Sequence, residues 1–192
     1  MHTAIHIPSD LVLPLPLGYM HEVAIRTTDE GEVFHLFCGL DTNTIRIFTE
    51  KSCDTADTEL QNNTSDYVRF CEHTYDEWYA KERYPFVLMS EGKELAGIVW
   101  LGPKEPPAVE GFLSAEKEWD TFAIRTYMPF RGKRLARPFA STALEIYRTL
   151  KPGRTIWLEA DSENTSARAL YTKLDFKEIG YTDTNRVVMV LE

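Results

Sequence analysis

The sequence predicts a mixed α/β domain, a single twisted mixed β-sheet flanked by helices. Three observations carry that prediction. The chain has 192 residues and 43% hydrophobic content, enough for one compact domain with a full core and too short for two ordinary ones. Its apolar period alternates between two and 3.6 along the C-terminal half. Between residues 119 and 160 the order is strand, helix, strand, which requires at least one βαβ crossover.

Taken in order, residues 1–20 read as an N-terminal extension that packs loosely, and 21–192 as the domain. Residues 23–26 predict a first strand. Residues 33–37 and 45–48 fit strand or helix equally. Residues 49–64 are rich in Asp, Thr and Asn and predict an exposed loop. Tyr67, Cys71, Tyr75, Trp78 and Tyr79 then recur at helical spacing, so one amphipathic helix is expected over 65–81. Residues 86–89 and 95–101, joined by Glu91-Gly92-Lys93-Glu94, predict a β-hairpin. A loop follows to about residue 117, then a strand over 119–126. Leu135, Phe139, Ala143, Ile146, Tyr147 and Leu150 form one helical stripe, which Lys151-Pro152-Gly153 stops. A strand over 155–160, a short helix over 165–174 and a closing strand over 187–191 complete the chain.

Lys and Arg number 21 against 30 Asp and Glu, a net charge of -9. That balance argues against nucleic acid as the ligand, because phosphate-backbone binding is driven by neutralisation and counterion release. It suits a cationic partner such as an amine. Residues 11–17 are apolar but broken by Pro14 and Pro16, too short to span a bilayer and lacking a basic leader, so no membrane partner is expected. Three cysteines without metal spacing read as reduced thiols in a cytoplasmic protein. No histidine pair has metal spacing, and no metal is expected. A homodimer is compatible with the composition but not required by it.

The strongest chemical signal is Phe130-Arg131-Gly132-Lys133-Arg134-Leu135-Ala136, where a strand ends and a helix begins. A helix start offers unpaired N–H groups and the positive end of the macrodipole. Arg131, Lys133, Arg134 and Arg137 add charge. An anion site and a solvated basic turn both fit. The second signal is the run from Asn164 to Phe176, after the strand over 155–160. The first segment resembles the pyrophosphate-binding signature Arg/Gln-x-x-Gly-x-Gly/Ala of the GCN5-related N-acetyltransferase superfamily. The second is similar to that superfamily's helix Asn-x-x-Ala-x-x-Leu-Tyr-x-Lys-x-Gly-Phe. The match is good over residues 84–181 and holds only in outline before them.

The resemblance implies an acyl-CoA N-acyltransferase-like fold, and an enzyme that moves the acetyl group of acetyl-CoA to a primary amine by direct attack. A small-molecule acceptor is the first expectation and a protein or peptide amine the second. A catalytically silent acyl-CoA-binding protein of the same fold is the rival. By the same resemblance Arg131, Gly132, Lys133, Arg134, Leu135 and Ala136 would hold the pyrophosphate, and Ile124, Arg125 and Thr126 the pantetheine arm through backbone groups. Asn164 and Arg168 would flank the cosubstrate, and Tyr171 would protonate the leaving thiolate. Periodicity alone makes Tyr171 a core or rim residue, Asn164 a helix N-cap and Arg168 a solvated helix residue. Two positions depart from the signatures: Arg134 and Asp175 stand where glycine is usual. Asp120 on the central strand is the first expectation for a general base, and Glu159 the second. Aromatics over 67–84 fit core packing or an amine-binding wall, with Glu72, Asp76 and Glu77 suited to a cationic acceptor.

Overall fold

A computed structural model describes residues 2–109 and 117–192. Nine strands form one sheet in the order β1-β2-β3-β4-β5-β6-β7-β9-β8. They are β1 (His2–Ile5), β2 (Met20–Thr27), β3 (Val33–Gly39), β4 (Tyr84–Ser90), β5 (Leu95–Pro103), β6 (Trp119–Thr126), β7 (Thr155–Asp161), β8 (Lys177–Tyr181) and β9 (Arg186–Leu191). Every neighbouring pair is antiparallel except β6 and β7. Those two are joined by α4 (Ala136–Leu150), the expected crossover, and α5 (Thr165–Thr172) follows β7.

Strand alternation divides the core between the two faces of the sheet. Phe86, Leu88, Val99, Leu101, Phe122 and Ile124 point to one face and pack with Phe139, Ala143 and Tyr147 of α4. Val87, Ile98 and Trp100 point to the other, against Phe48, Leu60, Phe70, Tyr75 and Trp78. That second group comes from α1 (Thr42–Cys53), α2 (Thr58–Asn63), a π-helical turn (Val68–Glu72) and α3 (Tyr75–Tyr79).

Four expectations are corrected here. The ambiguous residues 45–48 lie in α1, capped by Asp41, and residues 49–64 contain the end of α1 and all of α2 instead of a loop. The helix expected over 65–81 is broken: a π turn comes first, and Thr74 then starts α3 through a capping box with Glu77. Residues 2–20 are not loose, since β1 pairs with β2 and Leu11 and Leu13 are buried in the core. Finally, Cys53 and Cys71 are a disulfide with Cα atoms 5.8 Å apart, while Cys38 is a buried thiol. The packing of Phe48 on Phe70 brings the end of α1 beside the π turn and makes that bond geometrically accessible. The cytoplasmic expectation drawn from three reduced thiols loses that support. Among the described residues no helix is long and apolar enough to cross a membrane. Part of the long loop expected after the hairpin, residues 110–116, lies outside the described residues.

Candidate active site

The site originates in a failure of strand pairing. β6 and β7 are in register only at Trp119–Thr155, Asp120–Ile156 and Thr121–Trp157. Beyond these pairs the strands part, leaving a cleft of about 900 Å3. Tyr127 N–H donates to the Ala96 carbonyl on β5. Antiparallel alternation then turns the backbone of Arg125 toward β5 and that of Ile124 and Thr126 into the splay. Their carbonyls already accept from the chain itself, Ile124 from Arg125 and Thr126 from Arg131, both at 2.8 Å. The Ile124 and Thr126 amides therefore remain as donors on the cleft edge.

The segment between β6 and α4 turns through positive φ at Gly132 (79°) and Arg134 (58°). Glycine suits both positions because a Cβ crowds the backbone in the left-handed region. At Gly132 a side chain would meet open space, so that amide is accessible. No side chain caps α4 at Leu135, so the Ala136 and Arg137 N–H groups of its first turn stay available, while Pro138 has none to offer. Arg134 is exposed and has no ion-pair partner among the described residues. Lys133 bonds Glu32 on the surface, 2.7 Å away. Arg131 is committed elsewhere: it grips both carboxylate oxygens of Asp57, the N-cap of α2, at 2.7 and 2.6 Å. That contact raises the Arg131 pKa and lowers that of Asp57.

On the opposite wall, Asn164 caps α5 by accepting from the Ala167 amide and donates to Asn63 at the end of α2. Tyr171 lines the cleft, its ring set edge-on to Phe122 and Phe176. Burial raises its pKa, and the charges of Arg125 and Arg186 offset part of that rise. Its hydroxyl has no hydrogen-bond partner among the described residues. Arg168 does not line the cleft; it bonds Glu178 and the Ser162 carbonyl. Asp175 takes φ 67°, the left-handed position after α5, which accounts for glycine in the signature there.

The carboxylate on the central strand is placed away from the cleft. Asp120 is fully buried and does not line the cleft. Its oxygens accept from Arg154 Nε and Nη2, both at 2.7 Å, and from the Tyr147 hydroxyl of α4. Glu159, by contrast, lies in the cleft, near Arg186. Of Glu72, Asp76 and Glu77, only Glu77 lines it.

Sequence reading missed a group on the face of β6 covered by α1 to α3. Asp66 is fully buried and receives Arg125 through two bonds (2.6 and 2.9 Å) and Arg69 through one of 2.9 Å. The Arg125 guanidinium also lies 4.8 Å from the centre of the Trp100 ring. The Asp66–Arg69 spacing is an ordinary helical i,i+3 pair, but nothing in the sequence connects Asp66 to a residue 59 positions later.

Residues 54–176 match the model of the Acetyltransferase (GNAT) family. The chain belongs to the GNAT acetyltransferase family. No curated protein sequence matches it. Among solved structures, an uncharacterized protein from Bacillus halodurans superposes with a TM-score of 0.67 at 12% identity, covering 92% of this chain and 91% of that one. A GNAT-family acetyltransferase from Listeria monocytogenes gives 0.63 at 15%, covering 88% and 99%. Spermidine N-acetyltransferase from Vibrio cholerae, solved with CoA and spermine, gives 0.55 at 20%, covering 81% and 92%. At these identities the likeness is one of fold.

Proposed function

We propose that this family member is an acetyl-CoA-dependent N-acetyltransferase whose acceptor is a primary amine of a small molecule. The reading is carried by one observation: the free Ile124 and Thr126 amides and the Tyr171 hydroxyl open on the same cleft, where β6 and β7 part. The residues suit acetyl-CoA. The uncapped start of α4 and the open Gly132 amide are donors for a pyrophosphate, and Arg134 adds an unpaired positive charge beside them. Bound there, acetyl-CoA supplies a thioester open to attack by an amine. Tyr171 stays protonated at neutral pH because burial holds its pKa up, so its hydroxyl can give a proton to a departing thiolate. Glu159 is the carboxylate placed to draw a proton from the amine, directly or through water.

Calorimetric titration with acetyl-CoA, beside ATP, tests the binding half. Saturable binding of acetyl-CoA alone supports it, and none at millimolar ligand removes it. Tyr171→Phe tests the chemistry: kcat falls by about 10²–10⁴ with acetyl-CoA affinity unchanged. A silent acyl-CoA-binding protein would show binding with no CoA release from any amine. Spermidine, the acceptor named for the Vibrio cholerae protein, belongs in the amine panel, as does a peptide amine.

A further inference from the structure

We propose that the acceptor carries an anionic group, a carboxylate or a phosphate, a few bonds from the amine that is acetylated, and that Arg69 and Arg83 bind it. The inference rests on the acetyltransferase reading and specifies its substrate class. Both guanidiniums line the acceptor side of the cleft. Asp66 is the carboxylate nearest to hand, and Arg125 occupies it with two bonds, leaving Arg69 a single shared one. Arg83 has less: its Nη1 donates to the Pro103 carbonyl at 3.0 Å, and no ion pair reaches it among the described residues, although its residue is nearly buried. It is laid over Gly102, where a Cβ would stand 2.7 Å from Nη1, so the strand has left room for it.

Two guanidiniums are thus held in a partly dry wall where, among the described residues, Asp66 is the one carboxylate hydrogen-bonded to either, and it serves Arg125 as well. Burial lowers the pKa of both; the charge of Arg69 lowers that of Arg83 further, while the carboxylates of Asp66 and Glu159 act against the fall at Arg69 and that of Asp120 at Arg83. In a chain of net charge -9 this local excess stands out. An arginine fork matches the geometry of carboxylate and phosphate oxygens. Glu77, from the α3 capping box, and Glu159, 3.5 Å from Arg186, line the same cleft and are carboxylates that an ammonium group would meet there. The wall therefore offers both signs, the pattern that complements a molecule with an amine and an acid and disfavours a polyamine.

The test is calorimetric titration of the whole protein, with and without saturating CoA, using serine, O-phosphoethanolamine and ethanolamine. These share an aminoethanol skeleton and differ in the acid. Serine or O-phosphoethanolamine should bind at least tenfold tighter than ethanolamine, and whichever does identifies the acid. Arg69→Gln and Arg83→Gln should each erase that preference, and Arg83→Lys should restore part of it, with folding checked by thermal melts. Equal or tighter binding of ethanolamine, no saturable binding of either acid, or a preference that both Gln variants leave intact overturns the proposal. Failure of CoA to bind refutes the acetyl-CoA reading instead, and the CoA-free titration still decides the anion preference.

Discussion

Replacing Asp120 with Asn separates a structural carboxylate from a catalytic one. The change removes the negative charge and turns one acceptor oxygen into an N–H donor facing Arg154 Nε, Arg154 Nη2 and the Tyr147 hydroxyl. Removing one partner of a buried ion pair costs about 3–5 kcal/mol. Arg154 keeps a second partner, Glu118 at 2.7 Å, and is about one-fifth exposed, which places the loss near the lower bound, about 3 kcal/mol. For a protein of this size that is a fall of about 6–12 °C in Tm. Urea denaturation at pH 7 measures the first quantity and calorimetry the second. Turnover is assayed well below the midpoint, where the variant is folded, and should stay within threefold of wild type. A variant of wild-type stability whose kcat falls a hundredfold would refute the structural reasoning and return Asp120 to the chemistry.

Three other outcomes follow from the packing. Asp57 has its pKa lowered by the Arg131 guanidinium, so the pair stabilises the fold above the unfolded carboxylate pKa of about 3.9 and loses that contribution as pH falls through the lower folded value. Asp57→Asn should lower the urea midpoint at pH 7 and flatten its decline below pH 4; parallel pH curves for the two proteins would sink the assignment. The disulfide closes a segment of 18 residues, so its reduction should cost about 3 kcal/mol, read as a lower urea midpoint in dithiothreitol that Cys53→Ser no longer shows. Gly39 has φ 76°, and a Cβ there would lie 2.3 Å from the Tyr19 carbonyl. Gly39→Ala should therefore destabilise by at least about 1 kcal/mol, and a neutral result would mean that residues 2–20 do not bear on β3.

The C-terminal half was legible, β8 apart, because its other elements announce themselves. β6 carries spaced apolar residues, β7 opens on an apolar run, α4 has a continuous stripe, and the loop and α5 carry spaced signatures. The elements missed lack such signals. α2 buries only Leu60 among polar neighbours, so no stripe marks it. β1 and β8 are the two edges of the sheet, short and largely exposed, and β8 contains a register shift. The placement of Asp120 outside the cleft is a matter of position along the strand. Asp120 still pairs with Ile156, short of the point where β6 and β7 part, and its carboxylate is turned to Tyr147 of α4, whereas Phe122 and Ile124 on the same side of the strand reach the cleft. Asp66 with Arg125 and Asp57 with Arg131 join residues 59 and 74 positions apart, pairings set by the closure of α1 to α3 over the sheet. The two glycine departures became intelligible only with backbone angles, since both fall at positive φ.

The grip of Arg131 on Asp57 spans two functional territories. One end belongs to the loop before α4, to which the proposed function gives the pyrophosphate of acetyl-CoA; the other caps a helix whose final residue, Asn63, reaches across to α5. Loop, helix and far wall are therefore links of one mechanical chain, and displacement of any link strains the other two. Under the proposed function linkage treats the two substrates symmetrically: whatever factor one adds to the affinity of the other through this chain, it receives back in full.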